Sequence, residues 1–273
     1  MSGHLLISTS CGLGFTIAAV GAWLRLGRPS RRPVVPVNFL AILVTLLTVA
    51  YLLNSSLRNG LFETFQNEHG SALVLALLLA LVGIGTHRSA SLRGLDVFLF
   101  GLAAIVGWVS LGLRPQTAGG VMQHSWFVSH VLALAISLAC FAISASAGAA
   151  YLLIHRLLRH KQPSVLLGRM ASLEALERFG RWSLLIGFPM FTYGLLTGIC
   201  GLAHRVAPCE TLSVTDPMVA YSLAAFVLYA AMVGCVWFVP RIRGRLAAAL
   251  AIVGVAAILA GFVLVELVAS VHR

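Results

Sequence analysis

The sequence predicts an all-α polytopic membrane protein, a bundle of about eight transmembrane helices. The 273 residues are 59% hydrophobic and 10% charged, whereas a soluble domain of this size carries about 25% charged residues. The apolar residues are grouped into runs close to the roughly 20 residues that a helix needs to cross a bilayer. Backbone groups inside lipid must be satisfied within their own segment, and the runs lack the polar–apolar alternation of barrel strands. The runs are therefore predicted to be helices.

Eight such runs follow one another in a single predicted domain, residues 1–273. The first run has its basic residues after it, the reverse of a secretory signal, and Pro36 opens the second. The fifth is long enough to tilt or protrude. Ser172 suits the N-cap of an ordinary helix entry into the sixth, and Asp216-Pro217 opens the seventh. We place four runs in residues 1–115 and four in 116–273: 5–24, 37–53, 72–85, 97–113, 127–154, 182–202, 217–238 and 246–271.

The basic residues divide unequally between the two sides of this topology. Fifteen of the 19 lysines and arginines fall in the loops after odd-numbered runs, and basic residues near short loops face the cytoplasm. Both termini are therefore predicted to lie on the periplasmic side of a bacterial inner membrane. The net charge of +11 is then explained by the basic residues of the cytoplasmic loops and does not indicate a nucleic-acid partner. The four residues on the outer side are Arg58, Arg114, Arg205 and Arg273.

The histidines divide in the same way. We interpret the inner three, His87, His155 and His160, as solvated or lipid-facing interface residues. Glu266 is interpreted as the one acid within an apolar run, so the spans lack the chain of buried acids expected of a proton-coupled transporter. The outer six are His4, His69, His124, His130, His204 and His272.

Two of the outer histidines, His130 and His272, lie at the outer ends of long apolar runs and so share a depth. Two neutral imidazoles from two helices are what the axial positions of haem require. Trp126 and Phe127 could line the ring, and Arg205 or Arg114 could meet the propionates. Aromatic and histidine residues also gather at membrane interfaces for packing reasons alone. His124 and His204 stay open as alternative ligands.

Four stretches of the C-terminal 150 residues resemble, in the same order, the cytochrome c assembly protein family of haem-handling membrane proteins. This family includes the CcsA-type and HemX-like proteins. The first four runs resemble it in hydropathy alone. The four stretches are Ser125-Trp-Phe-Val-Ser-His130 with Gly148-Ala-Ala-Tyr-Leu; Ser172-Leu-Glu-Ala-Leu-Glu-Arg with Gly187-Phe and Gly194-Leu-Leu-Thr-Gly198; Asp216-Pro217 with Tyr221-Ser-Leu and Leu228-Tyr229; and Glu266 to His272.

The resemblance implies that His130 and His272 are axial haem ligands, with Trp126 as a ring contact and Arg205 as a propionate partner. The family's tryptophan-rich loop would correspond to residues 201–216, which keep Asp216 and contain no tryptophan. A further family histidine would fall near Gly234. These differences point to the HemX-like branch. The implied protein binds haem and is an accessory of cytochrome c biogenesis or tetrapyrrole metabolism. Its partners would be the lipid bilayer, other biogenesis proteins or a tetrapyrrole-synthesis enzyme.

An alternative class of function is a membrane scaffold or regulator that binds no haem. Its working surface would be the basic cytoplasmic loop from Arg156 to Arg181, and its target a tetrapyrrole enzyme. A transporter is a weaker interpretation, because the halves show no clear repeat and no interrupted helices. We expect no self-contained enzyme and assign no catalytic residue.

Overall fold

The computed structural model describes residues 3–27, 37–59, 67–113, 125–160, 170–205, 217–239 and 244–271. Within these ranges the chain forms eight α-helices, one short 3-10 helix and no strand, which confirms the predicted all-helical membrane bundle. The helices are α1 (Gly3–Gly27), α2 (Val37–Asn59), α3 (Glu68–Arg88), α4 (Leu95–Gly112), α5 (Ser125–Arg159), α6 (Leu173–Arg205), α7 (Pro217–Phe238) and α8 (Arg245–Val271), with the 3-10 helix at Ala90–Leu92.

Seven of these helices, α1 to α7, are long and apolar enough to cross a membrane, and Arg245–Gly261 of α8 forms a shorter apolar segment. Many large apolar side chains point away from the bundle, as a lipid-facing surface requires. Examples from different helices are Leu13, Leu46, Ile105, Val227 and Val253. The protein is therefore an integral membrane protein.

Small residues let the helices approach closely, which is how membrane helices commonly pack. In the N-terminal half, a Cβ added at Gly107 of α4 would lie 2.9 Å from the backbone nitrogen of Gly12 in α1. In the C-terminal half, a Cβ added at Gly148 of α5 would lie 2.7 Å from the carbonyl oxygen of Ala248 in α8. One hydrophobic cluster joins the two halves through buried residues of α1 to α6. A second cluster packs α5 to α8 against one another in the C-terminal half.

Contacts between helix ends define the two ends of the bundle. His69 at the start of α3 contacts Ser110 at the end of α4, and His130 early in α5 contacts Gly194 late in α6. We call this the histidine end. At the opposite end, which we call the arginine end, the backbone nitrogen of Ala171 donates to the carbonyl of Arg93 at 2.8 Å. The helices thus alternate in direction as the topology predicts, and which end faces the periplasm stays a prediction.

Two helices begin earlier than hydropathy predicts, because polar side chains cap them. The third run was predicted to begin at residue 72, but α3 begins at Glu68, where the Asn67 side chain accepts a hydrogen bond from the backbone of His69 at 3.2 Å. The Ser172 hydroxyl accepts from the backbone nitrogen of Ala175 at 3.2 Å, which confirms the predicted N-cap. The segment that follows Ser172 and the sixth predicted run, 182–202, form one continuous helix, α6.

Candidate functional site

The candidate site is built around His130, which lies in the second turn of α5. Its ring nitrogen Nδ1 is 2.7 Å from the carbonyl oxygen of Gly194 in α6. A carbonyl only accepts hydrogen bonds, so Nδ1 carries the proton and donates it. With Nδ1 carrying the proton, Nε2 is the nitrogen of this ring that can offer a lone pair to a metal ion. A histidine held through one nitrogen in this manner is the usual arrangement of a metal ligand.

Two glycines of α6 make room for side chains of α5, Gly198 for this imidazole and Gly194 for Leu134. A Cβ added at Gly198 would lie 2.7 Å from Cε1 of His130 and 3.1 Å from its Nδ1. A Cβ added at Gly194 would lie 2.7 Å from Cδ2 of Leu134, one turn further along α5. The segment Gly194-Leu-Leu-Thr-Gly198 therefore presents bare backbone to α5 at both glycines, and this explains its spacing of small residues.

Thr197 completes the polar side of this contact. Its hydroxyl lies within 2.9 Å of the carbonyl oxygens of Tyr193 and Gly194, to which it donates. The same hydroxyl oxygen is 3.4 Å from Nδ1 of His130, where it can accept part of the ring proton's hydrogen bond. The imidazole is thus oriented by two groups of one helix turn, and its position follows that helix.

The other predicted site residues are only partly located. Trp126 lies in the first turn of α5, four residues before His130, and Arg205 is the last residue of α6. Their side chains, together with His272 and Arg114, lie outside the part of the chain that the structure describes. The structure therefore brings His130 together with α6, and the pairing of His130 with His272 stays a prediction.

A second histidine at the same end, His69, was given no role by the sequence. It is 2% exposed, and its Nδ1 lies 3.0 Å from the carbonyl oxygen of Ser110 in α4. The rings of His4 and Tyr51 lie edge-on to it, with centroid distances of 6.0 and 6.1 Å. The Asn67 cap was the signal that could have placed His69 inside α3, since Asn is a favoured N-cap residue.

A buried ionic cluster at the arginine end was also missed. The Asp96 side chain is fully buried, and its Oδ2 accepts hydrogen bonds from His87 Nδ1 and, at 3.2 Å, from the Arg25 guanidinium. Arg25 also lies 3.0 Å from His87 Nε2. Arginine only donates, so Nε2 accepts and Nδ1 donates to Asp96. A neutral imidazole thus bridges the two charges and joins α1, α3 and α4.

This cluster corrects two expectations. His87 was interpreted as solvated or lipid-facing, and this is wrong because its side chain is 7% exposed and lies between Arg25 and Asp96. Glu266 was interpreted as the one acid in an apolar run, but Asp96 in the first turn of α4 is also an acid buried within a span. Hydropathy placed Asp96 just outside its run because the residue is charged. Only the fold shows that a cation and an imidazole surround it.

Among the described residues, no three or more histidine, cysteine, aspartate or glutamate side chains are grouped so as to hold a metal ion.

Comparison with known proteins agrees with the motifs quoted above and extends them. A profile of the family described as Cytochrome C assembly protein matches residues 36–272. The likeness thus includes α2 to α4, which were expected to match only in hydropathy. Protein HemX of Brevibacillus brevis is 30% identical over 112 residues, an overlap of 38% of this chain and 41% of that protein. The match thus spans about two fifths of that relative. No solved structure matches the chain.

Proposed function

The chain belongs to the cytochrome c assembly protein family, and from this premise we propose that it binds haem at the histidine end as an accessory of cytochrome c biogenesis. The proposal includes a bacterial inner membrane with the histidine end facing the periplasm. Other biogenesis proteins or a tetrapyrrole-synthesis enzyme would be its partners. The chain would hold and orient haem, and a partner would carry out any ligation to an apocytochrome.

The observation that carries the proposal is the 2.7 Å contact between His130 Nδ1 and the Gly194 carbonyl. Axial haem ligation by histidine needs an imidazole with one unprotonated nitrogen available to the iron. The Gly194 carbonyl keeps the proton on Nδ1, and the bare backbone of Gly198 lets the ring lie against α6. His130 therefore fits an axial position through Nε2, and the bound iron would supply the redox-active centre.

The remaining roles are proposals that the topology supports. Helix α8 starts at the arginine end, where a Cβ added at Gly244 would lie 2.7 Å from the hydroxyl of Tyr151 late in α5. It therefore runs toward the histidine end, and His272 follows it directly in the sequence. We assign His272 the second axial position. Trp126 precedes His130 by four residues, a spacing that puts both on one helix face, and we assign it to the ring. Arg205 ends α6 at the same end of the bundle, and we assign it to a propionate.

The test is the absorption spectrum of the full chain purified in mild detergent, oxidised and reduced, with and without added haem. Bis-histidine haem gives a Soret band and sharp bands on reduction, and these should be lost in His130→Asn and in His272→Ala. The asparagine side chain can still donate an N–H toward Gly194 but has no atom at the Nε2 position, so it separates ligation from structure. His155→Asn at the arginine end, where the ring stacks on Tyr151 at 6.2 Å, is the matched control.

Two results would overturn the proposal. One is a full haem complement in both His130→Asn and His272→Ala. The other is a wild-type protein that takes up no haem after haem is added. In the second case, the regulator alternative becomes the working hypothesis. Substitution of the basic residues between Arg156 and Arg181 should then abolish binding of a cytoplasmic partner.

A further inference from the structure

His69 has one ring nitrogen with a hydrogen bond and one without. Its side chain lies in the first turn of α3, at the meeting point of α1, α2, α3 and α4, and the residue is 2% exposed. Nδ1 is 3.0 Å from the Ser110 carbonyl and must donate to it. Nε2 is buried and has no hydrogen-bond partner among the residues that the structure describes. The lone pair of Nε2 is therefore buried and uncompensated in this part of the fold.

Such an arrangement is costly unless a ligand completes it. A polar group removed from water without a partner costs roughly 1–3 kcal/mol. Protonating Nε2 would not remove the cost, since it would bury a positive charge without an anion beside it. The Ser110 carbonyl instead holds the ring in the neutral tautomer that coordinates metal ions through Nε2.

A second imidazole lies at the right distance to share an ion with His69. The ring of His4, near the start of α1, has its centroid 6.0 Å from that of His69, with 79° between the ring planes. Metal–imidazole bonds of about 2.0–2.1 Å place the centroids of two rings that share one ion roughly 5–6 Å apart. Each ring can rotate about its metal–nitrogen bond, so the large angle between the planes is compatible with joint coordination. His4 is half-buried, whereas His69 is buried and held by the Ser110 carbonyl.

From this geometry we propose that His69 and His4 bind one zinc or copper ion at the histidine end, apart from the site at His130. Imidazole nitrogens favour these late first-row metals, while calcium and magnesium require oxygen ligands. The described residues contribute two nitrogens to this site and hold no group of three or more metal-ligating side chains. Solvent or an exchangeable ligand would complete the coordination, which suits a site that takes up and releases its ion.

The test is metal binding by the full chain in detergent, measured by elemental analysis after removal of unbound ion. Zn²⁺ and, under reducing conditions, Cu⁺ are added separately, so that the two arms identify the ion. Wild-type protein should retain about one ion per chain, and His69→Asn should bind it at least tenfold more weakly. Asparagine keeps an N–H for the Ser110 carbonyl but has no Nε2. His4→Gln is the second variant, because a half-buried side chain can be replaced with less disturbance of the core than the buried His69.

His160→Gln, an exposed histidine at the arginine end, is the matched control and should bind as wild type does. Equal metal content in wild type, His69→Asn and His4→Gln would overturn the proposal, and so would a wild type that retains neither ion. Haem content, read from the absorption spectrum of the same samples, separates this proposal from the haem proposal. His69→Asn should leave the haem spectrum unchanged, and a loss of haem in this variant would count against a separate metal-ion site.

Discussion

Nδ1 of His130 and the carbonyl oxygen of Gly194 lie 2.7 Å apart across the interface between α5 and α6. His69 and Ser110 repeat this relationship between α3 and α4, at 3.0 Å. The two carbonyls differ in one respect. Ser110 lies in the last turn of α4, where carbonyls have no intrahelical partner, so His69 also caps that helix. Gly194 lies in the interior of α6. Its carbonyl therefore accepts the hydrogen bond from the imidazole in addition to the hydrogen bond from the α6 backbone. Capping therefore does not explain the His130 contact.

Gly198→Ala should displace the His130 imidazole. The new Cβ would lie 2.7 Å from Cε1 of the ring, well inside van der Waals contact, and the ring would have to turn away from the Gly194 carbonyl. Outer groups that orient a metal ligand typically contribute 10–100-fold to metal affinity, so we expect haem affinity to fall by about tenfold or more. Titration of haem into the purified apoprotein measures this change.

Gly234→Ala is the control, because a Cβ there meets nothing within 4 Å. Gly234 lies in α7, so both substitutions change a helical glycine to alanine and gain the same helix propensity of about 1 kcal/mol. Haem affinity should be unchanged in Gly234→Ala. An equal affinity in Gly198→Ala and Gly234→Ala would mean that close packing against α6 does not position His130.

The helices could be predicted from sequence because the bilayer fixes their length and apolar character, and the N-cap at Ser172 because capping is local. His130 could be singled out by its place at the mouth of a long run. Its hydrogen bond to Gly194 could not, because the two residues are 64 positions apart and meet only once α5 and α6 pack.

The cluster at the arginine end was missed for a related reason. Hydropathy treats Arg25, His87 and Asp96 as three polar residues beyond the ends of spans, and so predicts solvent or headgroups around them. The fold instead brings them within hydrogen-bond distance of one another. Their burial is a property of how α1, α3 and α4 pack, and no local pattern carries it.

Gly148→Ala should destabilise the protein more than Gly254→Ala. The Cβ at Gly148 would lie 2.7 Å from the carbonyl oxygen of Ala248 and 3.2 Å from its Cα, so α5 and α8 would have to separate. The Cβ at Gly254 would meet the flexible end of the Met232 side chain, which can move aside. Overpacking a rigid contact costs about 1–3 kcal/mol. The midpoint of unfolding in a denaturing detergent compares the two variants, with Gly101→Ala, which meets nothing within 4 Å, as the reference.

Ser172→Ala should lower stability by about 1 kcal/mol, the usual cost of losing an N-cap side chain. The backbone nitrogen of Ala175 would lose its 3.2 Å hydrogen bond to the Ser172 hydroxyl. Ser172→Asp should keep the stability of the wild type, because aspartate caps a helix as well as serine does and its negative charge is favourable at the positive end of the α6 dipole. Unfolding of the three proteins in one detergent mixture measures this order. A Ser172→Asp variant as unstable as Ser172→Ala would argue against the capping role.

Arg25→Met should be among the most destabilising single changes at the arginine end. The fully buried Asp96 carboxylate accepts from both Arg25 and His87, and leaving a buried charge without its partner typically costs about 3–5 kcal/mol. Asp96→Asn should cost less, because the charge that remains is that of Arg25, whose side chain is 35% exposed and partly solvated. The double variant should be more stable than the sum of the two losses predicts, since it leaves neither charge unpaired. Glu174→Gln, an exposed acid at the start of α6, is the control and should change stability by less than about 0.5 kcal/mol. Strict additivity of Asp96→Asn and Arg25→Met would mean that the two residues do not stabilise the bundle as a pair.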